Sequence, residues 1–366
     1  MKHPGWRLFS SGYWIVAFLV IVTLAVLLKR IIIPWGRGEF TPIIGDGRRV
    51  TSYHFNLSVC LAPRRVLVAS GNPQDALPAL NDPALLTIAQ ATQLNAARRD
   101  SGGFIENASR VIGVTIHGQA RAYPIAILNW HAVVNDTLGG VPIAVTYDGF
   151  CGSSVVFLRR VAGRNLRFGY SGLVYNSNTV LYDQEASNGG ESLWSQIGGR
   201  AIAGTAAAHR RKLTPLPCYV VTWGVWKRMW PHTTMIAGVP KLYAAYSRNP
   251  YATYYADPSY LRYPVAPLWP GRGLGFKSRI MLLWIHHRWH PLFFRRLFSQ
   301  AAPDHLVHLR LAGTRLVVQC WRRPQSRTAA LLWPRDIPVA YGLLFAWYAQ
   351  HPRDFAPAAA SGIIRK

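Results

Sequence analysis

Val111-Ile-Gly-Val-Thr-Ile-His117 runs into Gly118, and Val141-Pro-Ile-Ala-Val-Thr-Tyr147 is followed within a few residues by Ser154-Val-Val-Phe-Leu158. Short β-branched runs closed by glycine or asparagine turns read as strands. Val66-Leu-Val-Ala-Ser70, before Gly71-Asn72-Pro73, has the same form. Two segments break the pattern. Pro124 to Asn135 puts proline at a first helical position and ends before Leu138-Gly139-Gly140, which predicts a helix. Thr222 to Trp230 carries Trp223, Trp226 and Trp230 at helical spacing and stops at Pro231, a stripe that reads as core packing. The predicted fold class is α+β and β-rich.

The chain has 366 residues, long enough for two domains or for one built from a duplicated unit. Forty-five aromatic residues exclude a disordered chain, and four cysteines exclude a disulfide scaffold. Lys plus Arg number 41 against 15 Asp plus Glu, a net charge of +26. Only seven of the 41 are lysine, so the arginine excess reflects amino-acid usage at least as much as a polyanionic partner. From Gly271 to Arg335 twelve basic residues face one acid, Asp304, which would draw this segment to an anionic surface such as lipid head groups. Nucleic-acid binding from charge alone is expected to be weak and non-specific.

Residues 13–28 are apolar and uncharged, flanked by Lys2, Arg7, Lys29 and Arg30, with Trp14 and Trp35 as aromatic belts. Sixteen residues at a helical rise span ~24 Å, short of a ~30 Å bilayer core by an amount that snorkelling can close. Without a clear small-x-small cleavage site, the run reads as an uncleaved N-terminal transmembrane anchor over residues 1–35 rather than a signal peptide. Residues 36–54 read as a linker. Cys60, Cys218 and Cys320 leave a disulfide open, because pairing is not legible from spacing.

A weak internal echo accompanies the strands. Val161-Ala-Gly-Arg-Asn-Leu166 is matched by Leu311-Ala-Gly-Thr-Arg-Leu316, and Trp226-x-x-x-Trp230-Pro231 by Trp347-x-x-x-His351-Pro352. Two readings stay open, two degenerate repeats or chance matching of short apolar motifs.

Residues 129–196 concentrate polar groups: Asn129-Trp-His131 to Asn135-Asp136-Thr137, Thr146-Tyr147-Asp148-Gly-Phe-Cys151-Gly152-Ser153, Tyr175-Asn176-Ser177-Asn178, Tyr182-Asp183, and Ser192-Leu-Trp194-Ser195-Gln196. With Leu57-Ser-Val-Cys60-Leu-Ala-Pro63-Arg64, Leu77-Pro78-Ala79-Leu80-Asn-Asp82-Pro83 and Ala120-Arg121-Ala122-Tyr123-Pro124, these motifs resemble the prokaryotic Domain of Unknown Function 3179 proteins, from about Phe55 through Asp257. The resemblance implies a body at 55–260, followed by a basic C-terminal part at 261–366. Members of the family look exported or membrane-anchored, which implies a single-pass protein of the cytoplasmic membrane with its body outside the cytoplasm. The family commonly shows Cys-x-x-Cys before glycine where this chain reads Asp148-Gly-Phe-Cys151-Gly152, so a local dithiol is lost.

His131 and Asn135, four apart, would share a helix face, while Asp148 and Cys151 bracket a turn. His131, Asp148 and Cys151 would give an N, O, S ligand set suited to zinc or copper. Asn135, Asp136, Tyr175, Asn176, Ser177, Tyr182, Asp183 and Trp194 are the candidate binding residues, able to line a groove. A hydrolytic triad from Ser153, Ser177 or Ser195 with His131 and Asp136 or Asp183 is the weaker enzymatic form, lacking a Gly-x-Ser-x-Gly elbow. A purely structural role for the block stays open beside these. His286-His287-x-x-His290 offers imidazoles at i, i+4 if helical, whereas its apolar, basic flanks suggest a segment lying on a membrane, and a degenerate strand of the repeat is a third reading of equal standing. The function expected is a membrane-anchored envelope protein that binds a metal or takes part in redox chemistry, or else a non-catalytic binding or scaffold module. Membrane lipid and a protein in the membrane are the expected partners.

Overall fold

A computed structural model describes residues 43–98, 103, 105–184, 190–271, 273–300, 306–323 and 326–355. The apolar run at 13–28 lies outside them. No helix among the described residues is long and apolar enough to cross a membrane. From Ile44 onward the chain clusters as one compact unit.

Three short strands come first, β1 (Leu67–Ala69), β2 (Leu80–Asn81) and β3 (Leu85–Leu86), then helix α1 (Ile88–Ala97). A capping box starts α1: the Thr87 hydroxyl accepts from Gln90 N, and the Gln90 side chain accepts from Thr87 N. Next is a hairpin, β4 (Arg110–Ile116) and β5 (Gln119–Pro124), closed by His117 and Gly118 at positive φ, as a two-residue turn between twisted strands requires. Helix α2 (Ile125–His131) leads into a meander of β6 (Val133–Leu138), β7 (Val141–Asp148) and β8 (Ser153–Leu158). The helix predicted to Asn135 thus ends at His131. Ala132 takes a φ of 55°, and Val133 to Leu138 pair with β7 instead, which suits the β-branched valines. Asn135 therefore shares no helix face with His131.

A block of short strands follows: β9 (Arg160–Val161), β10 (Arg164–Asn165), β11 (Phe168–Tyr175), β12 (Asn178–Asp183), β13 (Leu193–Ser195) and β14 (Arg200–Ala203). With β1 the last four form an antiparallel sheet in the order β1-β11-β12-β13-β14. After helix α3 (Thr205–Ala208), β15 (Thr214–Leu216) returns to β8 and β16 (Tyr219–Thr222) to β4. Helix α4 (Trp223–Met229) carries the tryptophan stripe inward: Trp223 and Trp226 are buried. Gly113 on β4 is what admits Trp226, because a Cβ there would lie 2.3 Å from its ring. Strand β17 (Thr234–Ile236) then runs parallel to β5, followed by the short helices α5 (Tyr243–Tyr246) and α6 (Ala252–Ala256).

The C-terminal part repeats this succession. Hairpin β18 (Arg279–Ile285) and β19 (Arg288–Phe293) leads to α7 (Phe294–Gln300), meander β20 (Leu306–Leu311), β21 (Thr314–Arg323) and β22 (Ser326–Trp333), then β23 (Val339–Leu343) and α8 (Leu344–Gln350). The bounds of β18, β19 and α7 lie 169 residues beyond those of β4, β5 and α2, and β20 lies 173 beyond β6. Helices α4 and α8 are 121 apart, the spacing of the Trp226 and Trp347 motifs. The other sequence echo is out of register: Ala162-Gly163 joins β9 to β10, whereas Ala312-Gly313 joins β20 to β21, the counterpart of Gly139-Gly140.

The halves interleave. One large sheet runs β19-β18-β23-β8-β7-β6-β2, so the meander of the first half continues the hairpin layer of the second. Reciprocally, β22 of the second half lies beside β16 of the first. Strands β18, β19 and β23 of the C-terminal part therefore complete the body's main sheet. Met281, Leu282 and Leu283 are buried on β18, and His286-His287 form the tight turn to β19 at φ 49° and 60°. The segment follows its strand reading, and the helical pair of imidazoles is not formed there. All four cysteines are free, so the open disulfide is not made.

Candidate functional site

The polar block folds into a buried hydrogen-bond lattice. Asp148, at the end of β7, accepts Phe150 N at 2.7 Å and Cys151 N at 2.9 Å on one oxygen. Its other oxygen takes Thr179 N at 2.5 Å and Asn178 Nδ2 at 3.3 Å. Burial raises the Asp148 pKa and these donors oppose the rise. Cys151 Sγ donates to Ser177 O at 3.0 Å, and burial holds its thiol well above the usual range, away from the reactive thiolate. Tyr175 to Asn178 form the turn between β11 and β12, with Asn176 and Ser177 at positive φ. Asn176 bonds Ala349 O and Ala266 N, tying this turn to α8.

The other candidates are held the same way. Asn135 exchanges two hydrogen bonds with the Phe168 backbone, acting as a strand neighbour. Asp136 accepts Arg121 Nη1 at 2.6 Å and Tyr123 OH at 2.7 Å. Tyr182 donates to Asp75, and Trp194 Nε1 donates to Asp183 at 2.8 Å. Ser153 and Ser195 donate to Gln196 and Gln350 respectively. None of these groups bonds His131, so no serine triad assembles around it. Nor do His131, Asp148 and Cys151 gather: no group of three His, Cys, Asp or Glu able to hold a metal exists among the described residues.

His131 serves a different neighbour. Tyr246 OH accepts Val239 N at 2.9 Å, so its proton goes to His131 Nε2 at 2.6 Å. That leaves Nδ1–H donating to Pro78 O at 2.7 Å. Burial lowers the His131 pKa, and the hydrogen bond to Pro78 opposes this. The neutral imidazole thus holds Tyr246 through Nε2 and is itself held by the Pro78 carbonyl through Nδ1.

Tyr246 is one wall of a cleft of about 570 Å³ between the two hairpins. Ile125, Ala126 and Asn129 of α2, Tyr147 of β7, and Tyr251 and Tyr255 line it, with Ser109 and Asn249. Two arginines enter it from equivalent places, Arg110 as the first residue of β4 and Arg279 as the first of β18. Arg248 and Glu106 are exposed on its rim. A narrower cavity, again lined by Arg110 and Arg279, continues to Tyr341 and Gly342 of β23. No carboxylate among the described residues lies within 4 Å of either guanidinium, and Arg110 Nε is sealed from solvent without a hydrogen-bond partner. Burial first, then the charge of Arg279, pulls the Arg110 pKa down to about 10.

The tyrosine wall rests on the Asp148 turn. A Cβ on Gly149 would lie 2.0 Å from the Tyr251 ring, and one on Gly152 2.8 Å from Tyr255 OH. Tyr255 OH donates to Gly149 O at 2.9 Å. Phe150 meets Tyr251, Tyr254 and Tyr263 edge-on at 4.9 to 5.4 Å. Lys277 Nζ sits 3.4 Å over the Tyr254 ring and donates to Tyr254 O and Asp257 O. The motif turn thus anchors the aromatic segment that forms the cleft.

Residues 74–331 match the family described as Protein of unknown function (DUF3179), well over half of the chain. This protein belongs to that family. No curated protein and no solved structure matches it. The DUF3179 match crosses position 260 and takes in the second hairpin and meander, further than the resemblance read from the motifs. Of the DUF3179 motif residues, Asn129 and Tyr147 line the cleft, whereas the eight candidate binding residues lie buried in the lattice. Arg110, Arg279, Tyr251 and Tyr255 are the groups that the motif reading passed over. The sequence carries a trace of the pair: Arg110 precedes Ile116-His117 at the same spacing as Arg279 precedes Ile285-His286.

Proposed function

We propose that this protein is a membrane-anchored, non-catalytic binding module of the cell envelope, built on two degenerate repeats, whose ligand seat is the arginine–tyrosine cleft. The observation that carries this reading is the cleft itself. A concavity of about 570 Å³, walled by aromatic rings and met by a few convergent polar groups, has the size and lining of a small-molecule site. The uncharged run at 13–28 with its basic flanks supports the anchor, and the family's exported look supports a body outside the cytoplasm. Binding without turnover is favoured because Ser153, Ser195, Cys151 and His131 are committed to structural hydrogen bonds, and the Ser177 hydroxyl, buried without a partner, makes no bond to His131. For the same reason the metal and redox reading of His131, Asp148 and Cys151 gains no support.

The test uses full-length protein in detergent, incubated with a small-molecule extract, desalted and examined by native mass spectrometry beside Ser247→Trp. Ser247 is exposed on the cleft wall, so the indole fills the cleft without disturbing the core. An adduct kept by the wild type and lost in Ser247→Trp, at unchanged melting temperature, is expected. Adducts that survive the substitution, or none in the wild type, would end this reading.

A further inference from the structure

Other buried guanidinium groups are given acceptors: Arg121 meets Asp136 at 2.6 Å, and Arg159 donates to the backbone carbonyls of Ile143, Leu166 and Asp136. Among the described residues Arg110 and Arg279 have no such partner, although they converge on one cleft and like charges there repel. Arg110 Nε is buried with no acceptor, an arrangement stable proteins avoid unless something else supplies one. The fold brings the pair together by applying one element twice, since each arginine opens the hairpin of its own half.

Resting on the binding reading above, we propose that the cleft takes a phosphate monoester, its dianionic head between Arg110 and Arg279 and its organic body against Tyr147, Tyr246, Tyr251 and Tyr255. Two guanidinium charges are balanced by a head carrying about −1.5 to −2 at neutral pH, and only half balanced by a carboxylate or sulfate ester. Guanidinium forks match the oxygen geometry of a phosphate. The volume far exceeds inorganic phosphate, and tyrosine rings offer apolar faces with hydroxyl donors. Burial raises the pKa values of Tyr147 and Tyr251, which keeps them protonated and able to donate, while Tyr255, whose hydroxyl donates to Gly149 O, offers its ring face. On the rim Glu106 offsets Arg248, so no further net positive charge is supplied for a second phosphate and a single head group is favoured over a polyphosphate or a nucleic-acid backbone.

Isothermal titration calorimetry on the full chain in detergent and a phosphate-free buffer tests this. The probes are phenyl phosphate, phenyl sulfate (the same body with one charge), inorganic phosphate and a short-chain phosphatidic acid. Phenyl phosphate should bind at least tenfold tighter than phenyl sulfate and than inorganic phosphate. Arg279→Gln, at an exposed position, should weaken phenyl phosphate at least tenfold while leaving the melting temperature unchanged, and Arg279→Lys should restore part of the loss. Arg110→Gln is the second variant, read only if its circular dichroism is native. Tighter binding of the phosphatidic acid than of phenyl phosphate would support the proposal with a lipid as the source, and the reverse order would support it with a soluble ester. Equal affinity for the sulfate and phosphate esters, or indifference to Arg279→Gln, would overturn it. If those same esters are still lost in Ser247→Trp, the cleft stays a binding site and only the ligand class is wrong.

Discussion

Gly149 has no special backbone angle, yet its missing side chain makes room for Tyr251. A methyl group there would sit 2.0 Å from a ring carbon, and the ring is held edge-on against Phe150, so relief requires moving the cleft wall. We expect Gly149→Ala to cost about 1–3 kcal/mol, the range for overpacking a filled site, and to weaken any ligand that touches Tyr251. Thermal melting beside Gly275→Ala, where a Cβ meets nothing within 4 Å, checks this; equal melting temperatures for the two variants would contradict it. The legibility of the site divides along the same line. Asp148 and Cys151 stood out because their types are scarce and their turn is local, and the turn is there. Their chemistry is not legible in the same way, because a carboxylate that gathers four N–H donors looks, in sequence, the same as a metal ligand. Arg110 and Arg279 were hidden for the opposite reason. In a chain with 34 arginines, no single one is conspicuous, and only the fold brings these two together.

Among the elements, strands with β-branched runs and glycine turns were readable to within a residue or two, as was α4 with its tryptophan stripe. The helix α2 overran in the reading because Gly139-Gly140 stops a strand as well as it stops a helix, and the break at Ala132 carries no residue that announces it. The turn His286-His287 was opaque for a related reason: both positions need positive φ, which glycine or asparagine usually marks. Two histidines there are strained, and His287 offers only an edge contact to Trp284, with ring centroids 6.5 Å apart. Replacing the pair with Asn-Gly, His286→Asn with His287→Gly, should raise stability by about 1 kcal/mol, because the left-handed strain is relieved. Urea unfolding would show a higher midpoint at unchanged slope; a lower midpoint would mean that the imidazoles stabilise the turn in a way their contacts do not reveal.

At the scale of the molecule, strand β23 is bonded on one side to β18 and on the other, through Tyr341 and Ser154, to β8. Helix α8 behind it buries Leu344, Phe345 and Trp347. A chain ending at Asp336 loses the strand that joins the two hydrogen-bonded halves of the main sheet, together with that packing. Its product should lack a cooperative thermal transition, and a sharp melt near the wild-type temperature would show that the halves fold independently. This organisation is only faintly legible in the sequence, since one of the two motif echoes falls on the helices α4 and α8 and the other joins unrelated turns.

The interleaving of the halves has a consequence for a half on its own. A hairpin–meander–helix unit without its neighbour leaves the β8 edge open where β23 now lies, because β23 belongs to the other half. Such a unit would present a row of unpaired backbone groups, a template for association with other chains.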